Sequence, residues 1–287
     1  MKILLIQENG RHDENRKYRE CFSFQRAFSS LGHDATVWGL NHENWGQPID
    51  FNSFDLIFNL EQYSMHWLPY LLQYDKPKKL LWSVDAHVHR NSIYEDIFHK
   101  HGYDLLLHAT KRYVSAEHHR WLPNAFDDTL IKPMKEIKKE YPIGFCGNWV
   151  NRENIYNILN EAFGVKLDIW KLGDDMVKAI NSYVIQMNRN YSYDVNYRNF
   201  ETIGCGTVLL TNWNDMLDEL GFVNGENCII YDDQYASIIP SGLPEMVQGY
   251  LDDPEKLDSI SHKGLELSKK HTYLERAKQI LEDLCQD

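Results

Sequence analysis

Short apolar runs, each followed by a stretch with helical spacing, recur along the chain, and this rhythm constrains the fold more than any other feature. Lys2–Ile6, Ala35–Leu40, Phe54–Leu60 and Leu80–Val84 read as strands, and Arg16–Ser30 between the first two reads as a helix with Tyr18, Cys21, Phe22, Phe24 and Phe28 on one face. The run Phe54–Leu60 is nearly continuous in apolar residues, as expected of a strand covered on both faces. A helix near Ser92–His101, a strand at Tyr103–Leu107 and a short helix at Tyr113–His119 complete the first half. Leu122–Ala125 and Lys132-Pro133 then interrupt the pattern, and the charged run Lys135–Glu140 is the expected linker.

Beyond it the rhythm restarts. Pro142–Cys146 predicts a strand ending in Gly147-Asn148, followed by a helix at Arg152–Phe163, a strand at Lys166–Lys171, a helix at Asp174–Asn181 and a strand at Val184–Met187. A last short strand falls at Cys228–Tyr231, and the tail is helical over Leu243–Leu251, Asp253–Lys270 and Leu274–Leu284. The expected fold is α/β: two Rossmann-like, doubly wound parallel-sheet domains, residues 1–138 and 139–287, facing a cleft into which ligands enter at strand C-termini.

The densest polar cluster lies between the strand at Val184–Met187 and the apolar run Val208–Leu210. Asn188, Asn196, Arg198 and Glu201 fall within it, and Gly204-Cys205-Gly206 follows. Asp194 can cap a helix whose first two turns would carry Asn196, Arg198 and Glu201, where free backbone N–H groups and the positive dipole end favour an anion. The bland alternative makes Glu201 and Arg198 an ordinary (i, i+3) surface pair.

Charge separates the halves. Residues 1–138 hold 17 Lys and Arg against 18 Asp and Glu, while residues 139–287 hold 13 against 24, so neither half has the basic excess that drives nucleic-acid binding. The opening residues are too short an apolar run for a signal or a membrane span, so a cytoplasmic protein is expected. Five widely spaced cysteines form no C-x-x-C pair, consistent with reduced, mostly buried thiols.

The order Asn196, Arg198, Phe200-Glu201, Gly206, then Gly225-Glu226-Asn227, Tyr231-Asp232, His271-Thr272-Tyr273 and Arg276 resembles the C-terminal domain of GT-B glycosyltransferases. Within them it is most similar to the group related to the spore-maturation protein CgeB and to the group 1 glycosyl transferases. The resemblance covers roughly the last hundred residues. It implies a glycosyltransferase that moves a sugar from a nucleotide-diphosphate-sugar donor, such as a UDP-sugar, to an acceptor hydroxyl. In that superfamily two glutamates stand eight positions apart, the second five before a glycine. Glu201 resembles the second, which grips the ribose hydroxyls, but Tyr193 stands where the first would be. The implied donor set is Glu201, Arg198, Asn196, Asn188, Gly147, Asn148 and Gly206, with Arg198 and the helix terminus on the diphosphate. The nucleotide sugar is a co-substrate, no other cofactor is required, and no metal is expected.

For catalysis the first half offers Asp85-x-His87-x-His89. Continued as a strand, alternation would put all three on one face, where a metal could bind, but no further ligand at fixed spacing accompanies them. The preferred reading makes Asp85 or His87 orient or deprotonate the acceptor hydroxyl. Glu8, Asn9 and Gly10 would face the same cleft, while His118-His119 read as surface. The acceptor is open among a small molecule, a glycan, a protein or a modified base in phage DNA. A non-catalytic nucleotide-sugar-binding module of the same fold is the alternative from another class.

Overall fold

The structure is a computed structural model that describes residues 1–61, 66–89, 91–233 and 242–286. It divides into two compact units, residues 1–124 with 273–287, and residues 125–272.

Unit 1 holds six parallel strands: β1 (Lys2–Ile6), β2 (Asp34–Trp38), β3 (Leu56–Leu60), β4 (Lys78–Ser83), β5 (Leu105–His108) and β6 (His119–Trp121). They lie in the order β2-β1-β3-β4-β5-β6. Ile6 pairs with Trp38 on one side and Asn59 on the other, so the order reverses between β1 and β3. Residues 3–6 and 56–60 are fully buried, which explains why these strands carry almost no polar alternation. Helices α1 (Glu20–Ser30) and α2 (Asn91–His101) cover the sheet. Around Trp38, Phe51, Ile57, Leu71, Leu81 and Phe98 one continuous apolar cluster forms.

Unit 2 contains β7 (Tyr141–Gly147), α3 (Glu153–Phe163), β8 (Lys166–Ile169), α4 (Gly173–Asn181), β9 (Tyr183–Met187), α5 (Tyr197–Gly204), β10 (Val208–Asn212), β11 (Ile229–Tyr231), α6 (Leu243–Leu251) and α7 (Pro254–Ser268). Its parallel sheet runs β11-β10-β9-β7-β8, with the reversal between β7 and β9. A core of Phe145, Ile155, Leu159, Met187, Leu210, Val247 and Ile260 fills the space under the helices.

Three expectations require correction. The stretch 113–119 forms no α-helix: Lys111–Tyr113 is a single 3-10 turn, and the chain then enters β6. Three residues, His-Arg-Trp, carry no strand pattern of their own, and pairing with β5 imposes the conformation. The cap of α5 is Asn196, whose side chain accepts from the Arg198 amide at 3.1 Å, and not Asp194, because Asp194 still lies in the preceding turn. Finally, the units differ from a split at 138/139. The last helix, α8 (Tyr273–Gln286), belongs to unit 1, where Tyr273 packs edge-on against Phe24 at 4.9 Å and buried Arg276 donates to the carbonyls of Pro123 (2.8 Å) and Asn124 (3.2 Å). Among the described residues no helix is long and apolar enough to cross a membrane.

Candidate active site

In open parallel sheets the loops leaving neighbouring strands on either side of the order reversal splay apart and leave a crevice beyond the strand C-termini. In unit 2 this point lies between Gly147, the last residue of β7, and Asn188, the first after β9. Gly147 has φ +155°, a backbone region that a side chain would strain, and a Cβ there would sit 3.7 Å from Arg198 Nε. The α5 guanidinium therefore lies directly over the end of β7.

Arg198 Nη1 is 2.8 Å from Glu201 Oε2, with both side chains mostly buried. Burial is the largest single effect and works against the Arg198 charge, but Glu201 together with Cys146, Cys205 and Tyr183 outweighs it and the net shift is upward. The surface-pair alternative thus has the right partners and the wrong environment. Two further arginines, which carry no motif and were missed in the sequence, flank this one. Arg189 Nε meets Asp233 Oδ2 at 2.8 Å, and Arg152 donates to the carbonyls of Asn148 (3.2 Å), Val150 (2.9 Å) and Arg189 (3.0 Å). Burial lowers the Arg152 pKa, and the charges of Arg198 and Arg189 add to the effect. With Glu201 and Asp233 paired to two of them, the three guanidiniums still leave a local excess of positive charge in a unit that is acidic by composition.

Asparagines hold the loop that carries them. Asn199 Nδ2 donates to Asn190 Oδ1 at 2.7 Å, Asn188 Nδ2 to Asn199 Oδ1 at 3.2 Å and Thr211 Oγ1 to Asn199 Oδ1 at 3.0 Å. The Asn190 amide donates to Asn212 Oδ1 at 2.6 Å, and Asn196 Nδ2 reaches the Arg189 carbonyl at 3.1 Å. Asn188 is buried in this network. Asn148 is exposed and folds back on itself, its Oδ1 accepting from the Val150 amide at 3.1 Å.

Gly206 does not join the group. It lies past the C-terminus of α5, roughly 12 Å along the helix from its start by the 1.5 Å rise per residue. There it turns the chain at φ +63° beside Pro133. A donor at the N-terminus of α5 would be out of its reach, because the helix runs from the C-terminal edge of the sheet back to the N-terminal edge.

Next to the cations an open pocket of about 420 Å³ is lined by Arg189, Asn190, Tyr193, Asn212, Trp213 and Asp233, a size within the range of small-molecule sites.

The reversal point of unit 1 gathers acids. Gln7, just past β1, donates to Glu20 Oε2 at 3.0 Å and to the Glu61 carbonyl at 3.1 Å. Glu61, just past β3, takes the amides of Val84 and of Asp85, the latter at 2.7 Å. Burial, then the nearby Asp85 charge, push the Glu61 carboxyl up to about 7. Asp85 is raised by loss of hydration, against His87 and His89, which pull it down; His87 is itself lowered by burial. The Asp85–His89 segment is a turn, with the amides of Val88 and His89 both donating to the Asp85 carbonyl (2.9 and 2.8 Å), so the strand alternation expected there does not hold. Carboxylate and imidazole atoms of Glu61, Asp85 and His89 nevertheless lie within 4.8 Å of one another. Glu61 had no motif to mark it: it is one acid after an apolar run, and only the sheet order gives it significance. Asn9 is drawn aside to the Leu40 and Asn41 carbonyls.

Residues 128–282 match the sequence profile of the family described as "Glycosyl transferase-like". The chain belongs to this family. As a glycosyltransferase it has the GT-B fold, and solved structures of very low sequence identity share it over the full chain. HepE from Anabaena, solved with UDP and glucose, superposes with a TM-score of 0.69 at 11% identity, covering 100% of both chains. Sucrose-phosphate synthase from Thermosynechococcus elongatus gives 0.67 at 12% identity, covering 100% of this chain and 99% of that one. An alpha-glucosyltransferase solved with UDP and a 13-mer DNA gives 0.66 at 12%, with the same coverage. No curated protein sequence matches this glycosyltransferase.

Proposed function

We propose that this glycosyltransferase takes its sugar from a UDP-sugar bound on unit 2, with the diphosphate between Gly147 and the N-terminus of α5. The observation that carries this reading is the Arg198 guanidinium lying against Gly147 at the order reversal, flanked by Arg152 and Arg189. Departure of a nucleoside diphosphate builds negative charge, and cations already fixed in place stabilise it without reorganising. Three arginines and helix amides can do this without a metal ion at the diphosphate. Glu201, oriented by Arg198, accepts the ribose hydroxyls. Asn188 and Asn196 act on the loop, holding the arginines, while Asn148 meets the donor through its backbone. The pocket beside Asp233 and Tyr193 takes the sugar end of the donor.

On unit 1, Asp85 accepts the proton of the acceptor hydroxyl, with His87 in its neutral form hydrogen-bonding the same group. Glu61 is a positioning residue that fixes the Val84–Asp85 corner through two amides. The five free cysteines favour a reducing, cytoplasmic setting. The acceptor class stays as wide as the chemistry of a hydroxyl.

Melting curves with UDP-, GDP-, ADP- and TDP-sugars test the donor assignment, since a ligand that binds only the folded state raises the melting temperature. UDP-sugars are expected to give the largest rise; a rise with none of them would overturn the reading. Asp85→Asn should leave that rise intact and lower turnover by about 10²- to 10⁴-fold, the usual range for a lost acid-base group.

A further inference from the structure

Away from these residues, unit 1 holds a second group with metal-ligand chemistry. Glu95 comes from the second turn of α2, His118 from the chain entering β6, and His119 is the first residue of that strand. Glu95 Oε1 lies 2.9 Å from His119 Nε2, and Glu95 Oε2 lies 3.8 Å from His118 Nε2. All three residues offer a ligand atom within 4.8 Å of the other two. Both Nε2 atoms are buried and neither forms an aligned hydrogen bond. The His119 side chain has 0% exposure, out of contact with bulk solvent.

A tetrahedral zinc ion with bonds of about 2.0–2.1 Å sets its ligand atoms roughly 3.3–3.4 Å apart, a spacing that the two separations bracket. The rings are also held in place. His118 stacks on Phe98 at 4.5 Å, and His119 stands edge-on to His118 at 4.6 Å and to His108 at 4.7 Å. His119 Nδ1 lies 3.1 Å from the Tyr113 carbonyl and 3.2 Å from the Ser115 amide. The Ser115 amide donates to Nδ1 in one tautomer; in the other, Nδ1–H donates to Tyr113 and leaves the Nε2 lone pair for a metal, the arrangement that orients metal-binding imidazoles elsewhere.

We infer that Glu95, His118 and His119 bind a divalent transition metal, zinc foremost, with water in the fourth position. Two imidazoles and a carboxylate suit zinc rather than magnesium or calcium, which prefer all-oxygen sets. Entry is through a pocket of about 300 Å³ lined by Lys78, Asp104, Leu105, Glu117 and His118. The ion would tie α2 to the short edge strand β6, so its effect is on unit 1 rather than on transfer.

The test uses the full chain, stripped with a chelator and titrated with zinc chloride in calorimetry and melting experiments, with magnesium chloride as comparator. One equivalent of zinc is expected to bind and raise the melting temperature, and magnesium is not. Glu95→Gln and His118→Ala, both at partly exposed side chains, should each weaken zinc at least about tenfold. His89→Ala, in the separate group with Glu61 and Asp85, should retain it. Cobalt(II) added to the unaltered chain should give the visible absorption of a tetrahedral site. No zinc-specific rise, retention of zinc in both site variants, loss in His89→Ala, or absence of the cobalt band would each overturn the assignment.

Discussion

Arg198 shows how one residue can look ordinary by spacing and become distinctive by surroundings. Its partner, three positions on, is what any helix surface could supply, yet the pair is mostly buried and set against a glycine that admits the guanidinium. Replacing it with alanine should weaken UDP binding by about 1.5–3 kcal/mol, the range for hydrogen bonds to charged groups, or roughly tenfold to a hundredfold. Unchanged affinity in calorimetry would remove Arg198 from the diphosphate site. Glu61 yields a second expectation. Its folded pKa, about 7, lies above the ordinary glutamate value of 4.5. The neutral carboxyl is therefore the form that suits the fold, and the stability it contributes is fully present below pH 4.5 and lost as pH rises through 7. Glu61→Gln should cancel this loss, so its melting temperature relative to the unaltered chain should climb between pH 4.5 and 7. A difference that stays flat with pH would show that Glu61 titrates normally.

At the scale of elements, the loop between β9 and α5 is made rigid by side chains rather than by backbone ladders. Asn199 alone donates to Asn190 and accepts from Asn188 and Thr211. Buried networks of this kind are stabilising when complete and costly when broken, because each orphaned group loses water without gaining a partner. Asn199→Ala should cost about 2–4 kcal/mol of unit 2 stability, given one to three kcal/mol for each group left unsatisfied. It should also weaken UDP binding even though Asn199 is not a contact residue in the proposed site. Denaturant unfolding together with calorimetry would separate the two effects. Loss of neither would mean that water fills the gap and that the loop holds itself.

For the whole molecule, the path of the chain matters more than any single contact. The chain enters unit 2 after Asn124 and returns to unit 1 at Tyr273, so unit 1 is completed by its last helix. Buried Tyr273, Ala277 and Ile280 all lie on it, and Gln279 Nε2 donates to the Trp121 carbonyl at 2.6 Å. A chain ending at Thr272 would expose the opposing surface of α1 around Phe24. The two larger apolar side chains suggest a loss of about 3–6 kcal/mol at 1.5–3 each. On heating, such a chain should show a lowered transition for unit 1 with that of unit 2 preserved. Two unshifted transitions would show that α8 is dispensable.

The strand-helix rhythm, the parallel character of both sheets and the segment running from Asn196 to Gly206 were determined by sequence, because hydrophobic period and residue spacing act over a few residues, while the cap itself fell on Asn196 rather than Asp194. The family resemblance in the last hundred residues came from the same local order. Tertiary structure alone decided what depends on distant pairing. It made His119–Trp121 a strand, gave α8 to unit 1 and brought Arg152 and Arg189 beside Arg198. Glu61 came beside Asp85 only because the sheet order sets β3 next to β4, and Gly206 lies at the end of α5 away from the proposed donor site. Periodicity fixes which side chains are buried along an element, whereas the neighbours they meet depend on strand order, which no single segment encodes.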